Sequence, residues 1–97
     1  MKIKLALLAV FVTVFSISTT LADVRSDAKQ QVEFGIKVAQ KGLWNEAIYR
    51  WERAIELDPD YASAHNNLAI AYEQKGEFEK ARKAYGRATE LDPGNLM

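Results

Sequence analysis

Gly42 to Pro59 reads GLWNEAIYRWERAIELDP, and Gly76 to Pro93 reads GEFEKARKAYGRATELDP. The two stretches lie 34 residues apart and agree at eight of eighteen positions. Working outward, Ala28–Tyr61 aligns with Ala62–Asn95 without a gap. Twelve positions are then identical, among them Ile36/Ile70, Gly42/Gly76, Ala47/Ala81, Ala54/Ala88 and the shared Glu-Leu-Asp-Pro ending. A fixed period of this size implies one supersecondary unit written twice and stacked on itself.

Each block reads as two helices. In the second, Tyr61, Ala64, Leu68, Ala71 and Tyr72 recur at helical spacing. Asp60 stands where an N-cap would accept a backbone N–H, and Gly76 suits a left-handed stop after Lys75. Phe78, Ala81, Tyr85, Ala88 and Leu91 mark one face of the next helix, which Asp92-Pro93 ends. Phe34, Val38, Trp44, Ala47, Trp51, Ala54 and Leu57 repeat the scheme in the first block. No stretch alternates as a strand requires. Gly35 and Ala69, mid-way along each first helix, let helices approach closely. Trp44, Trp51, Phe78 and Tyr85 are expected to fill the space beside them with large buried areas.

Numbered from Ala28 and Ala62, these residues resemble two tandem tetratricopeptide repeats. That pattern has large residues at the fourth and seventh positions, a small eighth and an aromatic eleventh. Ala at the twentieth, an aromatic at the twenty-fourth, Ala at the twenty-seventh and Pro at the thirty-second complete it. The second block supplies Leu68, Ala69, Tyr72, Ala81, Tyr85, Ala88 and Pro93; the first supplies Phe34, Gly35, Ala47, Trp51, Ala54 and Pro59. Gln31 and His65 depart from it at the fourth position, and Val38 at the eleventh. The resemblance implies an all-α fold: two helix–turn–helix units, residues 28–61 and 62–95, forming a short right-handed solenoid. Residues 23–27 read as a short linker and 96–97 as a C-terminal stub.

The N-terminus is of another character. Lys2 and Lys4 precede a 13-residue apolar run, Leu5 to Ile17, interrupted only by Thr13 and Ser16. Thr20 and Ala22 then offer a small-residue cleavage site. Residues 1–22 therefore read as a secretory signal peptide, with an uncleaved anchor as the alternative. The run is shorter than the roughly 20 residues of a membrane span. Membrane contact is expected only in transit or through that anchor. Export implies the periplasm in a double-membrane bacterium, and otherwise the cell exterior or an outward-facing tether. Removing the leader takes away two lysines and leaves 11 basic against 13 acidic residues. That balance offers no basic stripe for nucleic acid. With no cysteine, an exported domain this small must be held by helix packing alone.

Catalytic chemistry finds little footing. His65 is the single histidine, at a packing position, and no phosphate loop or metal-ligand spacing occurs. Glu73, Glu77 and Glu79 read as a solvated surface balanced by Lys75, Lys80 and Lys83. No enzyme activity, metal or cofactor is expected. The resemblance implies instead a concave groove lined by the first helix of each repeat, where a peptide or partner helix lies. Its positions carry over to Lys29, Val32, Ile36, Ala39 and Gln40, and to Ser63, Asn66, Ile70, Glu73 and Gln74. The two isoleucines with Val32 would form an apolar strip flanked by amides; alternatively Val32 and Ile36 pack against the chain near Val24. The lysine and asparagine that grip a C-terminal carboxylate in some family members are replaced by Val32 and Ile36, and only Asn67 agrees. No carboxylate clamp is expected.

Two repeats bury less than the three or more usually needed. The far end, around Ala71, Tyr72, Ala84 and Tyr85, is expected to stay uncovered. A homodimer, a larger partner or a longer array of which this chain is a piece would each cover it.

Overall fold

The structure, a computed structural model, describes residues 22–94. Residues 1–21 and 95–97 lie outside the described residues; they include all but Ala22 of the segment expected as a signal peptide, 1–22, and the whole of the stub expected at 96–97. Among the described residues four helices follow one another: α1 over residues 22–40, α2 Trp44–Leu57, α3 Ala62–Gln74 and α4 Phe78–Leu91. The chain is all-α, with helix α3 packed against both α2 and α4.

Helix α1 begins earlier than expected. The five residues expected as a linker, 23–27, are helical. Val24 is half-buried, and Ala28 and Val32 are buried. At four-residue spacing these three extend one inward face toward the N-terminus, so the packing that orders the repeat also orders the segment before it.

Both hairpins turn in the same way. Gly42 and Gly76 hold φ of 78° and 75°, a conformation that a Cβ would strain. The glycine N–H donates to the Ala39 or Glu73 carbonyl, and the next N–H, from Leu43 or Glu77, reaches back to Val38 or Tyr72. This bond pair is the Schellman ending, which satisfies carbonyls that the helix leaves without partners. Asp58 and Asp92 end α2 and α4 in extended backbone, the geometry that a following proline imposes.

Asp60 does not cap α3. The helix starts at Ala62 with Tyr61 at its cap and no side-chain cap bond. The intervening turn uses both aspartates differently. The Asp60 N–H donates to Asp58 Oδ1 at 3.2 Å, and Asp60 Oδ1 accepts from Arg87 Nη2 at 3.3 Å.

The core centres on Trp51. Its ring lies flat against Gly35, so that a Cβ there would come within 2.4 Å of Nε1. The indole N–H donates to the Val32 carbonyl at 3.1 Å, and the ring is 3% exposed. Val32, Ala47, Ala54, Ala64, Leu68 and Ala71 complete the cluster. Phe78 does not join it. One period after the half-buried Trp44, Phe78 is 68% exposed. Helix α3 covers α2, but no described helix lies beyond α4, so the same register leaves this ring in water. Tyr85, the counterpart of Trp51, is half-buried. Ala71, expected at the uncovered end, is fully buried in the cluster instead.

Two glycine substitutions test this packing in opposite directions. Gly35→Ala forces the ring off its seat and is expected to cost about 1–3 kcal/mol. Gly86 lies inside α4, where a Cβ meets nothing within 4 Å, so Gly86→Ala is expected to add about 0.5–1 kcal/mol. Urea unfolding followed by far-ultraviolet circular dichroism reads both; equal stabilities would refute the packing described.

Candidate protein-binding cleft

Ile36 on α1 and Ile70 on α3 stand one period apart, 40% and 37% exposed. Between them opens a cleft of about 240 Å³. Ala39 and Gln40 extend the α1 wall and Asn67 the α3 wall, while Trp44 and Trp51 of α2 form the floor. No charged side chain lines it. Burying an apolar group here would therefore desolvate no ion, and the two amides can satisfy a peptide backbone.

Of the ten groove positions expected, Ile36, Ala39, Gln40 and Ile70 meet in this cleft. Val32 does not contribute to an apolar strip. It is 4% exposed and packs inward with Trp51 and Leu68, and its carbonyl accepts the indole N–H. Lys29, Ser63, Glu73 and Gln74 are exposed and Asn66 half-buried, all outside the cleft lining. Trp44, Trp51 and Asn67 line it without having been assigned to it. The tryptophans read as hairpin filling from their own helix. That their edges also show between α1 and α3 follows from the small Gly35 and Ala39, a relation between helices that one helix's periodicity does not carry.

The remaining polar groups make local structural bonds. His65 is half-buried, and its Nε2 donates to the Pro59 carbonyl at 2.8 Å. Glu77 lies 3.9 Å from both Lys75 and Lys80, and Glu79 pairs with Arg82. Among the described residues no group of three His, Cys, Asp or Glu is placed to hold a metal ion, and no helix is long and apolar enough to cross a membrane. Tyr72 ties α3 to α2, its hydroxyl donating to Glu52 Oε1 at 3.2 Å. Burial, then the Glu52 charge and hydrogen bond, then Glu77, push its pKa up to about 12. Burial, then the Glu73 carboxylate, raises Tyr85 as well.

Residues 38–76 match the family described as TPR repeat, and residues 62–95 match Tetratricopeptide repeat. The chain belongs to the tetratricopeptide-repeat family. It is 34% identical over 63 residues to the tetratricopeptide repeat domain-containing protein PYG7, chloroplastic, of Arabidopsis thaliana, a match covering 65% of this chain and 21% of that protein. It is 34% identical over 58 residues to an uncharacterized protein of Methanocaldococcus jannaschii, covering 60% of this chain and 67% of the other. A solved structure of a MamA point mutant superposes with a TM-score of 0.66 at 30% identity, covering 68% of this chain and 48% of that one. The chain thus spans about a fifth of the length of PYG7 and about half of the MamA structure. Tetratricopeptide-repeat proteins commonly bind protein partners, and the repeats themselves are generally non-catalytic.

The Tyr72 bond has a pH signature. In the folded repeat the hydroxyl keeps its proton to about pH 12, whereas in the unfolded chain it ionises near pH 10. Between these values the folded state holds the extra proton, so stability falls as pH rises through the window. Tyr72→Phe is expected to flatten that fall in urea midpoints measured from neutral to alkaline pH.

Proposed function

We propose that this chain is an exported, non-catalytic interaction module that captures one apolar side chain of a peptide or partner helix in the tryptophan-floored cleft. The observation that carries this reading is the neutral, apolar lining between α1 and α3. Its volume of about 240 Å³ lies below the roughly 300–1,000 Å³ of small-molecule sites. That size suits a single anchoring side chain, with Gln40 and Asn67 bonding the backbone on either side. The family's general use as a protein-binding scaffold supports the same reading.

Trp44 and Trp51 make the cleft its own reporter. An amphipathic helical peptide with one leucine anchor is expected to shift and quench their emission. Ile36→Glu combined with Ile70→Glu leaves the helical signal intact, because both side chains are exposed, and is expected to abolish the response. An unchanged titration would remove the cleft from consideration.

Export rests on the reading of residues 1–22. Expression in a secreting bacterial host is expected to yield a mature chain beginning at Asp23, seen by intact mass. Recovery of the uncut chain in the soluble cytosol would overturn it. A second reading, self-association, draws on the exposed Phe78 at the far end of the hairpin stack. Phe78→Gln is expected to shift a dimer toward monomer in light scattering coupled to size exclusion, and a monomer before substitution would exclude that reading.

A further inference from the structure

The 34-residue period exposes a difference between the repeats on another face of α3. Asn67 and Ile70 point into the cleft; His65, Leu68 and Tyr72, at about 100° per residue, lie on the opposite face. In the first repeat the equivalent of Leu68 is Phe34, and the Arg50 guanidinium lies over its ring at 4.2 Å from the centroid. Glu46 Oε1 holds Arg50 Nε at 3.0 Å. Ring and guanidinium together fill the space. One period later the pair is Leu68 and Ala84, and neither reaches across. A shallow hollow of about 510 Å³ remains, with Leu68, Tyr72 and Ala84 as its floor.

The rim changes as well. Where the first repeat has Glu46, Tyr49 and Arg53, the second has Lys80, Lys83 and Arg87. One carboxylate is gone and two lysines are gained. The lining itself holds three cations and no carboxylate, and four acids stand just outside it. Lys80 meets Glu77 only at 3.9 Å, with Lys80 itself 66% exposed. Arg87 shares Asp60 and Glu90 at 3.3 and 3.2 Å, and Glu52 is bonded to the Tyr72 hydroxyl. Lys83 has no ion-pair partner among the described residues. Exposed pairs of this kind contribute little and exchange readily.

We propose that this hollow docks an acidic peptide segment anchored by one aromatic side chain, at a site separate from the tryptophan cleft. The anchor supplies the ring that the second repeat lacks, against Leu68, Ala84 and the Tyr72 ring. Its flanking carboxylates meet Lys80, Lys83 and Arg87 and give the encounter its rate and its salt dependence.

The test uses the full chain and a fluorescently labelled synthetic peptide of glutamate and aspartate with a central phenylalanine, read by anisotropy. The peptide is expected to bind, more weakly as salt rises, and about tenfold more weakly with alanine at its centre, a loss of about 1.4 kcal/mol. Lys80→Gln with Lys83→Gln is expected to weaken it by a similar factor. Ala84→Arg is the decisive variant. It adds a cation yet rebuilds the first repeat's lid over the floor, so it weakens binding if the hollow is the site and strengthens it if charge alone attracts the peptide. Should Ala84→Arg unfold the hairpin, the surface change Lys83→Glu replaces it and is expected to abolish binding. Equal binding of the alanine-centred peptide, tightening by Ala84→Arg, or loss through Ile36→Glu in place of the hollow variants would each overturn the proposal. So would absence of peptide binding together with a homodimer that Lys83→Glu dissolves, since the occupant would then be a second copy.

Discussion

The indole of Trp51 lying against the bare backbone of Gly35 is the contact on which the other packing relations depend. It sets how near α1 and α2 can come, because a single methyl at Gly35 would overlap the ring. It includes the bond from the indole N–H to the Val32 carbonyl, and the Val32 side chain packs inward beside the ring. It also places the ring edge where the gap between α1 and α3 opens, so one residue serves as both core and cleft floor. Packing and recognition are therefore not separable in the first repeat. A change that moves this ring moves the floor of the cleft.

The helices and turns were legible in the sequence because they depend on local rules repeated twice. Glycine followed by its Schellman bonds, and aspartate before proline, act within a few residues and leave the same mark in each copy. What could not be read was contact between elements. Val32 and Ile36 sit on one helix with similar apolar character, yet one is buried and the other faces the cleft. Val32 packs with Trp51, a residue 19 positions along the chain. Asp60 carried the right residue type for a cap, but Asp58 and Arg87 drew it into another turn. Phe78 had the right register for burial, and no described helix lies beside it to bury it. The cleft was legible as two isoleucines one period apart, and its floor was not, since the tryptophans belong to a different helix.

The two repeats share a backbone and diverge in what they present. On the cleft side, Ile36 and Ile70 keep the same residue and jointly wall an uncharged space. On the opposite side of α3, the Phe34–Arg50 stack gives way to Leu68 and Ala84 beneath a cationic rim. Repetition fixes where positions lie, and substitution at a few of them sets the chemistry of each face. A small solenoid can in this way hold two surfaces of different character without changing its fold.

Eight of the eleven buried apolar residues among those described are alanine. Apart from Trp51, Leu68 and Val32, a core of this kind has no large side chains to lose. Most substitutions within it add atoms, so damage comes from crowding, as helices are pushed apart, rather than from voids. The accessible variation is lopsided: exposed positions can drift widely, while the buried alanines can shrink only to glycine, which weakens the helix itself. Such a domain keeps its shape by staying small at its contacts, and its surfaces are where new binding behaviour can accumulate.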